Sequence, residues 1–545
     1  MDLTRRSFAK AGVLGTAAGA LLAQGATVAA FAEEAAMSAS NPEGMRVPST
    51  CNLEREWYKP VEGIVAFEEE LVTEFAETVE CDMVVVGGGI SGCCAAYSGH
   101  SNGLNVVLLE KGEKFAGRGA QIGCINSELQ INNPDAAKLD AEALVNDGVQ
   151  SGDHRVNRKI WERYANFSGQ AVDWVRGVVG DEAGDWMADT SPISINDGVI
   201  TWPSVVNCTM MAARIAPVVG QRLIDEGVDV RFNTPAVQLI KEDSRVIGVV
   251  AKDPDGQYIK VLAANGVVLA TGGYEANWKM LCENVKPRDL IVAQWRNETT
   301  TNTGDGILMA RAIGAQMDDY PHAMMNDPGT MVATHNWCSS LILGPMRVNE
   351  FGKRFINEAC SMELVTNAIA NQPGAHDWVI YAGDVFATLD EVFKKRNFPF
   401  SARGDADEIM TNAACANTLE ELANIIGVPE EAFVATVEAY NKAYDEGYDP
   451  EWGTSASVLL PLKEPPFYAV EEMNCTMCTA SGLTIDQYSR VLDTGYQPIE
   501  GLYAIGNCSG SMFEGYYPHH IQAVSHGRCI TFGYLVGRRL AGIED

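Results

Sequence analysis

The chain is short of positive charge. Its 545 residues carry 40 Lys and Arg against 72 Asp and Glu, a formal net charge of −32. Nucleic acid and anionic lipid repel such a chain, so neither is an expected partner. Histidine is scarce as well, with 8 in the whole sequence. No C-x-x-C-H occurs, which excludes a covalently attached c-type haem. The single C-x-x-C, Cys475 to Cys478, has no second copy to complete a four-thiolate metal site. It reads as a structural or pocket pair, with scattered cysteines as the remaining route to an iron–sulfur cluster. Past the N-terminus no apolar run is long enough to span a membrane, and there is neither an internal repeat nor a low-complexity tract. What is present is an ordinary globular composition, 46% hydrophobic and 21% charged, with material for roughly two to four domains.

The N-terminus reads as an address. Thr4–Lys10, "TRRSFAK", precedes an Ala/Gly/Leu-rich run from Ala11 to Ala32 that ends in small residues before Glu33. A charged region, a modest apolar region and a small-residue cleavage site make a secretory signal. The pair Arg5-Arg6, with Phe8 and Lys10, resembles the twin-arginine signal, which exports proteins already folded. A membrane anchor fits less well, because glycine and threonine interrupt the run. Loss of residues 1–32 would leave a charge of about −34. The expected location is periplasmic or on the extracytoplasmic cell surface. Fourteen cysteines in an exported chain suggest disulfides, but their scatter through core-like patterns predicts mostly free thiols.

The next signal is a glycine-rich turn. Met83–Val86 is an apolar β-branched run, followed by Gly87-x-Gly89-x-x-Gly92 and a small-residue helix. The first glycine allows a tight turn, the second lets backbone approach a pyrophosphate, and the third lets helix pack on strand. The phosphates then meet the free N–H groups of the helix N-terminus. A second strand, "NVVLL", ends at Glu110, 18 residues past Gly92, where a carboxylate can accept from a ribose. Two later segments repeat the grammar of an apolar strand running into a glycine turn: Asn265–Tyr274 and Ile499–Gly510. A nicotinamide domain needs only the first turn; a long FAD is lined by all three.

These segments, with "TNTGDGILMARAIGA" at Thr301–Ala315, resemble the FAD-dependent flavoprotein superfamily of fumarate reductase, succinate dehydrogenase and 3-oxosteroid dehydrogenase. The resemblance covers essentially the whole chain from Cys81 onward. It implies an α/β fold: a doubly wound, Rossmann-like FAD-binding domain with an inserted α+β capping domain. The expected boundaries are a signal at 1–32, a leader at 33–80 with a helix over Val61–Thr78, FAD-binding segments at 81–317 and 479–545, and a cap at 318–478. Within the cap, Thr418 and Glu421 form a capping box, Gly427 a helix stop and Pro429 a helix start, so a helical hairpin is predicted. The resemblance implies that FAD is lined by Gly87, Gly89, Ile90, Ser91, Gly92, Glu110, Lys111, Gly117, Arg118, Gly119, Ala120, Ala236, Ala270, Thr271, Gly272, Asp305 and Asn507. The flavin is expected to be noncovalent, since the "GRGAQIG" region lacks the attaching histidine.

The substrate side departs from fumarate-reducing members. They place an arginine just after an "RFxNE" segment; here Arg354-Phe355-Ile356-Asn357-Glu358 is kept, but Met362 stands where that arginine falls. Their "HTMGG" histidine is replaced by Cys478, and the arginine of "NRLGGN" by His520. A dicarboxylate in a dry pocket needs such cations, so fumarate is an unexpected substrate. The tail "GLYAIGNCSGSMFEGYYPHH" is more similar to 3-oxosteroid dehydrogenases, whose Asn and Tyr map onto Asn507 and Tyr517. In those enzymes the Tyr polarises a substrate carbonyl. They continue "YPGxG", whereas this chain has Pro518-His519-His520-Ile521, so their substrate is not inherited. Candidate catalytic residues are therefore Tyr517, His520, His519 and His322. Without haem or a fused FMN module, electrons are expected from a separate partner, a membrane-linked cytochrome or FMN protein. The expected activity is reduction of an activated C=C bond in a small molecule. The alternatives are a 3-oxosteroid-type dehydrogenase and a flavin-loaded electron carrier without a substrate of its own.

Overall fold

The computed structural model describes residues 65–544 apart from 120, 137, 189–194, 197–198, 201, 203, 293–300, 332–336, 340–345, 359, 361, 384–412 and 455–458. The signal segment and Ala120 lie outside the described residues. Among the described residues no helix is long and apolar enough to cross a membrane.

Two sheets organise the molecule. In the first, β1 (Glu77–Val86) lies parallel between β2 (Val106–Leu109) and a long strand ending at Leu269. A helix, α1 (Ile90–Ser101), leaves the end of β1. It is followed in the chain by α2 (Ala141–Ser151), α3 (Arg158–Val179) and α4 (Ile215–Asp225), and β3 (Asp229–Arg231) pairs in parallel with β2. An antiparallel flap, β4 (Ala236–Glu242) and β5 (Arg245–Lys252), joins β6 (Tyr258–Leu269), which is the long neighbour of β1. α5 (Asp305–Ala312) then leads out of this unit.

The second sheet, of six strands, includes β7 (Met324–Met331), β8 (Arg347–Val348), β9 (His376–Ala382), β10 (Ala414–Ala416) and β11 (Phe467–Thr479), with Trp337–Ser339 paired to β7. Around it pack α6 (Met362–Ala370), α7 (Leu419–Ile426) and α8 (Glu430–Glu446). Its own hydrophobic core includes Met346, Ile380, Leu422, Phe433 and Tyr440. The chain then returns to the first sheet as β12 (Arg490–Leu492) and β13 (Pro498–Ala504), the latter parallel to β6, and closes with α9 (Val524–Leu540). The first sheet reads β12-β13-β5-β6-β1-β2-β3, with β4 on β5. This is the doubly wound α/β arrangement, interrupted in the chain by the second sheet.

The predicted hairpin is present as written. The Thr418 hydroxyl accepts from Glu421 N while the Glu421 carboxylate accepts from Thr418 N, and Gly427 ends α7 at φ +74°. Of the predicted helix over 61–78, residues 61–64 lie outside the described residues, and the described part, 65–78, is not helical. Residues 65–76 form an irregular strap and β1 already begins at Glu77. The reason is tertiary: Ala66 N donates to Asp305, Val72 N donates to Gln238, and Gln238 donates to the Glu68 and Glu70 carbonyls. These bonds hold the backbone extended, and spreading Glu68, Glu69, Glu70 and Glu74 avoids stacking like charges on one helix. Every cysteine whose side chain is described is a free thiol.

Candidate active site at the flavin turns

The register brings the three glycine turns together. Val86 pairs with Leu109 and Leu269, and Leu269 pairs with Ala504, so β1, β2, β6 and β13 all end at one edge. Hydrogen bonds Gly87 N to Leu109 O, Ala270 N to Val86 O and Ile505 N to Leu269 O lock the turns side by side. A β-carbon on Gly87 would sit 2.4 Å from Ala270 O, and one on Gly92 would sit 1.8 Å from Gly87 O. Those two glycines are dictated by packing. Gly89 is not: a β-carbon there would meet nothing nearer than Ala116 O at 3.9 Å. Bare space therefore lies over the start of α1, whose first turn has no side-chain cap. Uncapped N–H groups facing open space fit a pyrophosphate. Ile90 and Ser91 form that first turn.

Other expected cofactor residues are spoken for to different degrees. Glu110 accepts from Gly88 N and Gly112 N, both at 2.6 Å, so it holds the turn rigid while each oxygen keeps a further lone pair. Lys111 Nζ contacts Asp305 at 2.7 Å and Thr303 at 2.9 Å, and Asp305 also accepts from Ala66 N. Gly117 abuts Ala213 O, and Gly119, at φ +78°, abuts the His526 ring. Between them Arg118 reaches Met477 O at 2.6 Å and the buried Glu275 carboxylate at 3.1 Å, stapling this loop to β11. Ala236 is buried at the start of β4, opposite Ala251. Ala270, Thr271 and Gly272 form the turn after β6, with Gly272 at φ +74°. Asn507 lies in the 3-10 turn Gly506–Cys508, and Gly506 abuts Ser91.

The four candidate catalytic residues part company. The Tyr517 hydroxyl is buried and accepts a hydrogen bond from Ser525 N, at the first turn of α9, at 3.2 Å. No described residue accepts its proton. Burial raises its pKa, so it stays a neutral donor. His519 stacks edge-on against Tyr517 with centroids 4.8 Å apart. Its Nε2 has no hydrogen-bond partner and lies 3.8 Å from Asp327 of β7 and 3.9 Å from Glu363 of α6. Burial, with His520 beside it, pulls its pKa down to about 3, so it is neutral at ordinary pH.

His520 points the other way. Its Nε2 meets the Asp147 carboxylate of α2 at 3.0 Å, and Trp202 Nε1 donates to the same carboxylate. His322 is enclosed. Its Nε2–H donates to the Asp318 carbonyl at 2.8 Å, which makes Nδ1 the acceptor of the Tyr274 hydroxyl at 2.6 Å. Burial lowers its pKa to about 4. Tyr517 and His519 are thus brought together between the sheets, and His520 and His322 are braces.

At the remaining positions, Arg354 is buried and bidentate to Glu358 at 2.7 and 2.8 Å, with Asp449 at 2.8 Å. Cys478 is a buried thiol whose pKa burial pushes up to about 12. The Cys475 side chain lies outside the described residues. Among the described residues no group of three or more His, Cys, Asp or Glu could hold a metal ion. Sequence reasoning missed Arg528, which is buried next to Asn507, and the pair Asp327 and Glu363. A buried arginine inside a helix and acids distant in sequence leave no local pattern.

Comparison with known proteins agrees with the geometry. NADH:fumarate oxidoreductase of Klebsiella pneumoniae (strain 342) is 27% identical over 478 residues, covering 84% of this chain, which spans 47% of that enzyme's length. Vinyl phenol reductase of Lactiplantibacillus plantarum (strain ATCC BAA-793 / NCIMB 8826 / WCFS1) is 26% identical over 493 residues, 84% of this chain and 94% of that one. The structure of 3-ketosteroid delta1-dehydrogenase from Sterolibacterium denitrificans, at 22% identity, has a TM-score of 0.67 over 85% of this chain and 99% of that one, which shows the shared fold. The family described as "FAD binding domain" matches residues 82–520, so the chain belongs to that family and is an FAD-dependent oxidoreductase.

Proposed function

We propose that this protein is an exported FAD-dependent reductase of an activated C=C bond in an enone, enoate or unsaturated lactone, and not of a fumarate-type dicarboxylate. The bound FAD supplies a hydride from N5. The observation that carries the reading is Tyr517: its oxygen is fixed by Ser525 N, and its own hydrogen is left for a substrate carbonyl. A donor fixed in advance at a developing oxyanion is worth several kcal/mol of barrier. With FAD bound, Tyr517 would hold the carbonyl oxygen as charge develops on it, the β-carbon would take the hydride that the flavin chemistry supplies, and the α-carbon would take a proton from water.

Charge on the cap side supports the exclusion of dicarboxylates. Asp327 and Glu363 stand beside His519, and Met362, Cys478 and His520 occupy the positions where cationic or polar anchors are expected. The likeness to a fumarate oxidoreductase and a vinyl phenol reductase also favours the reducing direction. Export rests on the Arg5-Arg6 leader, and electrons are assigned to a separate cytochrome or FMN protein.

The test is anaerobic. The flavin is reduced with a viologen and its reoxidation followed with a panel of enones, enoates, lactones and fumarate. Fast reoxidation by one carbonyl-activated alkene is expected. If only 3-oxosteroids react, by reducing the oxidised flavin, the reaction runs in the dehydrogenase direction. If nothing reacts, the chain is an electron carrier.

A further inference from the structure

Arg528, on α9, is an unusual buried charge. It is 1% exposed, yet every group that hydrogen-bonds to it or stacks on it is neutral: Asn507 Oδ1 at 2.7 Å, Ala480 O at 3.2 Å, Ser509 O at 3.5 Å and the face of Phe513 at 4.7 Å, with the buried Asp318 acting on it only through space. Its Nε has no partner, and no described carboxylate forms an ion pair with it. Burying a cation without an ion-pair partner is costly, and burial lowers its pKa. Such a group persists where something else in the working molecule offsets it.

The bond to Asn507 shows what it does. A guanidinium only donates, so the atom it meets must be the amide oxygen, and Ser525 Oγ points at the same oxygen at 3.4 Å. The Asn507 NH₂ is therefore forced to the opposite side. Asn507 is half-buried, and no described residue takes those hydrogens. The turn that carries it packs on Ser91, at the start of α1.

We propose that Arg528 is a positioning residue for FAD: it fixes the Asn507 amide with its NH₂ toward the cofactor and holds a buried positive charge that the flavin's negative charge offsets. Ser525 extends the chain, since its N–H also orients Tyr517. The inference rests on FAD binding alone and stands whichever substrate is turned over.

The experiment uses the full chain, with FAD affinity followed by flavin fluorescence and the midpoint potential by spectroelectrochemistry. Arg528→Met and Asn507→Ala should each weaken FAD binding about tenfold or more, and together no more than the larger single loss. Arg528→Met should also shift the midpoint potential to more negative values, and Arg528→Lys should recover part of that shift. Asn507→Asp guards against a folding defect. It offers Arg528 a carboxylate, so the apoprotein should melt no lower than the unsubstituted one, yet bind FAD more weakly. Additive losses in the double variant, or an unchanged potential and affinity in Arg528→Met, would overturn the proposal.

Discussion

Two buried arginines divide the molecule. Beside the second sheet, Arg354 is surrounded by acids: Glu358 takes two of its donors and Asp449 a third, and Arg347 is likewise held between Asp377 and Glu472. On the flavin side, Arg528 meets only neutral acceptors. The same contrast extends to their neighbours. The Arg354 hub answers each charge with its opposite within the protein. The side of the glycine turns leaves valences open: the Tyr517 hydrogen, the Asn507 NH₂, His519 Nε2 and the uncapped start of α1. A charge satisfied from within serves stability, and one left open marks where a ligand arrives.

Breaking the closed side should have the largest effect. Glu358→Ala leaves Arg354 buried with one acid removed, and should cost about 3–5 kcal/mol of stability, read as a lowered midpoint in urea with FAD bound. Tyr517→Phe tests the open side. It should lower the rate of flavin reoxidation by a carbonyl-activated alkene about 10²–10³-fold while FAD content stays unchanged. A fall in FAD content instead would assign Tyr517 to the closed set.

His322 belongs to the closed set although it lies on the flavin side, and pH exposes it. Its folded pKa, about 4, is below its unfolded value of 6.5, so the unfolded chain takes up the proton first as pH falls. The contribution is intact above pH 6.5 and lost progressively toward pH 4, by about 3 kcal/mol. His322→Gln should flatten that part of the stability–pH curve, and an unchanged curve would contradict the buried neutral tautomer. The smallest expected effect is Gly89→Ala. With open space above it and φ of −78°, the substitution should leave apoprotein stability within about 0.5 kcal/mol, yet weaken FAD binding severalfold by filling the phosphate approach. Gly92→Ala, whose β-carbon would collide with Gly87 O, should lower both.

Legibility followed how local each cause is. The β1–turn–α1 unit could be read because backbone collision leaves only glycine at Gly87 and Gly92, and the α7–α8 hairpin because Thr418, Glu421 and Gly427 act within a few residues. The strap at 65–76 reads as helix in the sequence, because the partners that hold it open, Gln238 and Asp305, are more than 150 residues away. Side-chain direction was equally hidden. Neighbouring His519 and His520 turn to opposite sides, one toward Asp327 and Glu363, the other toward Asp147. Arg528 shows the limit most clearly, since what sets it apart is that no described carboxylate hydrogen-bonds to it in three dimensions.

The most direct test of the account compares one alkene in two charge states. Fumarate and its dimethyl ester would each be offered to the viologen-reduced protein without oxygen, each rate being divided by that of free reduced FAD. The ester should retain a clear protein-dependent acceleration and fumarate almost none. A larger acceleration with fumarate would show that the site accepts a dicarboxylate despite Asp327 and Glu363, and would contradict the assignment.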